Sequence, residues 1–198
     1  MRQRDFTVER LTALLRLGAS FNTFWRHDVD VSLEAAYEMA TLERKLGISA
    51  TYYLFLGADS CPFYLLSDAR KLERILKNMG HTVGIHTDER TYGTRLALGG
   101  SAILRGKDVS FHCPSREVLW RDFRKFKNAY ASKWMGFYIA DSTGRFKYGD
   151  PEDKFSTDCR LQVNLHPVWW FDPLWEKNVD IPTYENFFGV QHPYTVGT

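Results

Sequence analysis

Between residues 22 and 170 short β-rich runs alternate with helical patterns, and that alternation points to a parallel α/β architecture. NTFWRHDV, ISATYYLFL, HTVGIHT, DVSFHC, GFYIAD and LQVNLHPVW read as strands. ISATYYLFL carries few polar residues, as a strand covered on both faces does. SLEAAYEMATLERKLG reads as a helix, with Ser32 as N-cap, Leu33, Ala36, Tyr37 and Ala40 on one face, and Gly47 at the C-terminal cap. SDARKLERILKNMG repeats the grammar: Ser67 caps, Leu72, Ile75, Leu76 and Met79 form the stripe, and Gly80 stops it. MRQRDFTVERLTALLRLG reads as an amphipathic helix with Leu11, Leu14 and Leu15 on one side. SREVLWRDFRKFKNAY reads as a helix whose stripe is Leu119, Phe123 and Phe126 and whose basic face is solvated. Residues 89–106 give no clear pattern. A doubly wound sheet and a barrel both accommodate this order.

Composition narrows the setting. A chain of 198 residues is most simply one domain spanning 1–198, with 44% apolar and 25% charged residues as in soluble globular proteins. A net charge of +2 gives no case for nucleic acid. No apolar run approaches the roughly 20 residues of a membrane span. Cys61, Cys113 and Cys159 are odd in number and far apart, which argues against a disulfide framework and for a reducing compartment. The amino terminus does not read as a signal peptide, so the expected location is cytoplasmic.

The ends of the strands carry the chemistry. Asp28, Asp30, His86, His112, Asp141 and His166 each fall near the carboxyl end of a predicted strand, the first two sharing one. Active sites of parallel α/β folds gather at that end. Histidines and carboxylates from separate strands are ligands for a divalent metal, with three protein ligands and one position left for water. Asp28 and Asp30 are two apart and point to one face of a strand, so one can bind metal while the other takes a proton from water. A capping turn ahead of Ser32 is the plainer alternative for this pair. His166, ahead of Pro167, titrates where donation to a leaving amine needs it. His27 and His81 read as structural and His192 as a surface residue. Trp169 and Trp170 either stack on a sugar ring or close the core.

RHDVD, GHTVGIHTD, SFHCPS, YIADSTG and LQVNLHP, in this order, resemble the polysaccharide deacetylase superfamily, carbohydrate esterase family 4 with the NodB-like fold, over residues 6–170. They look most like its divergent HDVD branch, found around bacterial surface-polysaccharide genes. The resemblance implies a distorted (β/α) barrel of about seven strands and metal-dependent removal of an N-acetyl group from a sugar. It implies Asp28 as base and Asp30 as metal ligand, although the family's pair is adjacent and Val29 here leaves the two roles exchangeable. His86 matches a ligand position, but the family's second histidine is Arg90 here. His112 stands where the family has an arginine, so the implied ligands are Asp30, His86 and His112, with Asp88 competing for third place. Asp141 matches the fourth motif and His166 the acid of the last. The implied cofactor is one divalent metal, zinc ahead of cobalt or nickel. The implied substrate is an N-acetylated sugar, nucleotide-linked or lipid-linked if the protein is cytoplasmic. A metal-free carbohydrate-binding or assembly protein, and a hydrolase of a non-sugar amide, are the alternatives.

Overall fold

A computed structural model describes residues 6–55, 66–87, 108–119, 121, 123, 126–131, 136–142, 144–146, 148–156 and 158–171. Cys61, Asp88, residues 89–106 with Arg90 among them, and His192 lie outside the described residues.

Seven strands form one all-parallel sheet: β1 (Thr23–Val29), β2 (Thr51–Phe55), β3 (Thr82–Thr87), β4 (Asp108–Phe111), β5 (Lys127–Asn128), β6 (Phe137–Ala140) and β7 (Leu161–Leu165). Their order is β5-β4-β3-β2-β1-β7-β6. Helices α1 (Val8–Gly18), α2 (Leu33–Lys45), α3 (Leu66–Asn78) and α4 (Val168–Phe171) accompany the sheet, with a 3₁₀ turn at Pro151–Lys154. The expected α/β class with about seven strands is therefore present as a curled parallel half-barrel.

The curl is visible in side-chain reach. Arg26 on β1 donates to Ser110 on β4 and to the Tyr130 hydroxyl beyond β5, although β2 and β3 separate these strands. Gln162 Nε2 of β7 donates to the Ala129 carbonyl at 3.0 Å, and the Tyr130 and Tyr138 rings lie 6.0 Å apart. Side chains thus join the two edges of the sheet. Gly84 in β3 is required by this crowding: a Cβ there would stand 2.6 Å from the Tyr53 ring and 2.8 Å from the Asp108 carbonyl oxygen.

Alternation along the strands divides the side chains. On the helix side Val29, Leu54, Val83, Ile85, Val163 and Leu165 pack with Leu11, Leu15, Met39, Leu72 and Leu76. Glu43 of α2 is fully buried there, accepting from the Tyr52 hydroxyl at 2.5 Å and lying 2.7 Å from His27 Nε2. His81 takes the Ala50 amide proton on Nδ1 and packs edge-on against Tyr52. His27 and His81 are therefore parts of the packed layer on this side. The concave side is polar and holds Arg26, Asp28, Ser110, Gln162 and Asn164, all buried.

Several local expectations are corrected. Residues 115–130 make a turn at 116–119 and then enter β5, where a helix was expected. Asn128 explains the change: its Nδ2 donates to the carbonyls of Val118 and Arg121 and its Oδ1 accepts from the Tyr130 amide, so the chain folds back. The predicted stripe is still used, since Leu119, Phe123 and Phe126 pack on Val109, Phe111 and Val118. The last strand ends at Leu165 and does not run on to Trp169, because residues 168–171 turn helical behind Pro167. Tyr37 and Ile75 are exposed; the buried faces are Leu33, Ala36, Met39, Ala40 and Glu43 on α2, and Ala69, Leu72, Glu73 and Leu76 on α3. Ser67 lies inside the first turn of α3, which begins at Leu66. Ser32 caps α2 as expected, accepting from the Ala35 amide at 3.1 Å.

Candidate functional site

Parallel strands place all their carboxyl ends on one rim, and the polar side chains expected there converge. Asp30 follows β1, His86 is near the end of β3, His112 follows β4, and Asp141 and His166 follow β6 and β7. The His112 amide still donates to the Thr87 carbonyl at 2.8 Å, which holds the end of β4 against β3. Cys113 then takes φ 47°, a left-handed turn that carries the chain away from the rim.

Asp30, His86 and His112 offer one ligand atom each within 4.8 Å of one another. His86 Nε2 lies 3.1 Å from Asp30 Oδ1, His112 Nδ1 lies 3.7 Å from the same oxygen, and the two nitrogens are 3.3 Å apart. Asp30 Oδ1 is buried and accepts no hydrogen bond of proper geometry. A buried carboxylate oxygen that accepts no hydrogen bond, faced by two imidazole nitrogens that meet each other at 3.3 Å, is an arrangement a cation satisfies. The donor set of two nitrogens and one oxygen suits zinc, and also cobalt or nickel. The residues present therefore fit the expected metal. Burial opposes charge on Asp30, but His86 and His112 beside it hold its carboxyl well below the ordinary range. Burial likewise opposes charge on His112, and Asp30, with Cys113, raises it well above the ordinary histidine value.

His166 stands on the other side of Asp30, its Nε2 3.7 Å from Oδ2. Its Nδ1 is 2.6 Å from Asp141 Oδ1, and its backbone amide donates to both Asp141 oxygens at 3.0 and 3.1 Å. Trp170 Nε1 donates to Asp141 Oδ2 at 2.8 Å, so the buried carboxylate is saturated and fixed. Burial opposes protonation of His166, but Asp141, aided by Asp30 and Asp28, raises it to about 9.

Asp28 sits one layer deeper and is bound by Arg26, with Nε to Oδ1 at 3.0 Å and Nη2 to Oδ2 at 2.7 Å. Asn164 Nδ2 and the Ser110 hydroxyl also donate to Oδ2, at 3.0 and 3.3 Å. Burial alone would raise Asp28, yet Arg26 overrides it and holds the carboxyl far below the ordinary range. Asp28 lies inside β1, while Asp30 lies in the bend between β1 and α2, whose N-cap is Ser32.

The two tryptophans separate. Trp170 is buried among Phe6 and Phe146 and holds Asp141, so it offers no face to a ligand. Trp169 is half-buried and packs on the edge of the same core. Sequence reasoning missed Arg26, Ser110 and Asn164. Arg26 and Asn164 share the period-two register of the expected residues, Arg26 with Asp28 and Asn164 with His166. That alternation was the available signal. Comparison of the chain with protein-family models, with curated proteins and with solved structures gave no match in any of the three.

Proposed function

We propose that the protein is a metal-dependent hydrolase that removes an N-acetyl group from a sugar or sugar precursor, in the manner of the polysaccharide deacetylases its motifs resemble. The observation that carries this reading is the meeting of Asp30, His86 and His112 with the His166–Asp141 pair on one rim of the sheet. Asp30, His86 and His112 hold the cation, which when bound supplies Lewis acidity toward an amide carbonyl and toward water. Asp28, kept ionised by Arg26, is the acceptor for the proton that water loses as it adds to the carbonyl carbon. His166 is held above the ordinary histidine value chiefly by Asp141, which favours the doubly protonated ring that an acid requires. It gives the Nε2 proton to the departing amine as the C–N bond breaks, and Asp141 keeps the Nδ1 proton in place. Acetate and a free amino sugar result. The proposed substrate class is a nucleotide-linked or lipid-linked precursor. Among the described residues no helix is long and apolar enough to cross a membrane. Burial of Trp170 withdraws one of the two rings available for stacking on a sugar, which favours a small non-sugar amide as the second reading.

The test is amine release from panels of N-acetylated sugars, nucleotide sugars and non-sugar amides by the zinc-loaded protein. Turnover confined to acetylated sugars supports the first reading, and turnover confined to other amides the second. No turnover of any amide together with tight binding of a sugar makes this a binding protein. The pH profile adds a prediction. An acid raised above the ordinary histidine value gives turnover an alkaline limb, and a cation held by Asp30 places that limb below the value of about 9 that the metal-free site imposes. Asp141→Asn removes the charge that stabilises the imidazolium, and the limb moves toward lower pH. A limb that stays in place in that variant removes His166 as the acid.

A further inference from the structure

We infer that Ser110 is a positioning residue that couples the Arg26–Asp28 ion pair to His86 and fixes which nitrogen of His86 faces the ligand set. The inference rests on the reading of Asp30, His86 and His112 as metal ligands, and it follows from counting protons around one hydroxyl.

Ser110 is fully buried on the concave side of β4. Its Oγ meets Arg26 Nη2, Asp28 Oδ2 at 3.3 Å and His86 Nδ1 at 3.0 Å, and beside it the Tyr130 hydroxyl gives its own proton to the Phe111 carbonyl. A hydroxyl has one proton to give and two lone pairs to receive with. Arg26 has no lone pair, so its contact fills one of the two. Asp28 in its ion pair with Arg26 can only accept, so it takes the hydroxyl proton. One lone pair remains, and His86 Nδ1 must bring a proton to it. The second group near that nitrogen, the Ser110 carbonyl at 3.1 Å, is also an acceptor and makes the same demand. His86 therefore carries a proton on Nδ1, which leaves Nε2, facing Asp30 and His112, as the nitrogen available to a cation.

This chain does two things for a bound cation. It removes the alternative tautomer, which would present an N–H where a lone pair is needed. It also places the Asp28 carboxylate one hydroxyl away from the imidazole, making His86 a better electron donor. Ser110 has these roles because β4 pairs with β3 in a register that sets Ser110 opposite His86. A serine at this position satisfies all three neighbours; an alanine leaves Arg26 and Asp28 each one partner short and His86 with the carbonyl alone.

The experiment is zinc affinity by competition with a chromophoric chelator, for the wild type, Ser110→Ala, Ser110→Thr, Asp28→Asn and the Ser110→Ala/Asp28→Asn pair. Thermal denaturation of each metal-free protein serves as the folding control. Ser110→Ala is expected to weaken zinc about tenfold, the low end of the loss seen when a group behind a ligand is removed. Ser110→Thr, which keeps the hydroxyl, restores most of the affinity. Asp28→Asn weakens zinc in the wild-type background but adds little once Ser110 is alanine, because the path between them is already cut. A merely structural serine would show neither the recovery nor the non-additivity. Unchanged affinity in Ser110→Ala, or additive losses in the pair, overturns the coupling while leaving the ligand reading intact. A wild-type protein that binds no zinc overturns the ligand reading itself, and the inference with it. Should Asp28→Asn fail to fold, the alanine and threonine variants at position 110 decide the matter alone.

Discussion

Asp30→Ala is expected to lower bound zinc from about one ion per chain to none and amide hydrolysis to the uncatalysed level. Asp30 is the one carboxylate of the triad, and its Oδ1 is the atom both imidazoles face. Without it two neutral nitrogens 3.3 Å apart must hold a dication with no opposing charge from the ligand set. The fold is expected to survive, since Asp30 lies at the rim and Oδ1 accepts no hydrogen bond that would be lost. Zinc stoichiometry by elemental analysis after dialysis, read beside the melting temperature, checks the claim. Zinc should raise the melting temperature of the wild type, because binding to the native state alone stabilises it, and should leave that of Asp30→Ala unchanged. His86→Ala should behave in the same way. His166→Ala should keep zinc and slow turnover by about 10²–10⁴-fold, the usual worth of a positioned acid. An Asp30→Ala protein that retains one zinc would move the carboxylate ligand elsewhere, with Asp28, two residues earlier in β1, the candidate.

The rim was readable in the sequence because parallel topology converts position along a strand into position in space. Asp28, Asp30, His86, His112, Asp141 and His166 could be gathered without any alignment, only by asking which polar residues end strand-like runs. The layer beneath them was not readable in that way. Arg26, Ser110 and Asn164 are interior to their strands, and a buried arginine is legible only when its partners are known. Those partners come from β4, from Tyr130 just past β5, and from β7, which the curl of the sheet brings together. The helix expected at residues 115–130 failed for a related reason. Its apolar stripe is real, but Asn128 competes for the backbone with side-chain hydrogen bonds and the sheet takes the segment's end. Trp170 takes the core-closing alternative rather than the stacking one, and its indole N–H, which neither alternative used, holds Asp141.

Arg26→Met is expected to cost about 3–5 kcal/mol of stability, enough to consume much of the roughly 5–15 kcal/mol available to a domain. Arg26 is fully buried and supplies two hydrogen bonds to Asp28, one to Ser110 and one to Tyr130, with its guanidinium 4.3 Å from the Tyr130 ring centroid. Methionine fills a similar volume but leaves the Asp28 charge buried with only Asn164 and Ser110 to solvate it. The unpaired charge is what destabilises, so Arg26→Met/Asp28→Leu should recover a large part of the loss in urea titration. Acid separates this account from simple loss of packing. In the wild type Asp28 is held far below the ordinary carboxylate range, so the stability it contributes is present above that range and is lost only in strong acid. In Arg26→Met burial is opposed only by His86 and His166 and the Asp28 carboxyl rises, so protonation on mild acidification relieves the strain. The deficit of the variant relative to the wild type should therefore shrink as pH falls from 7 toward about 5. A deficit that stays constant over that interval would mean the guanidinium is held for its packing against Tyr53, Tyr130 and Tyr138, and that Asp28 finds its countercharge elsewhere.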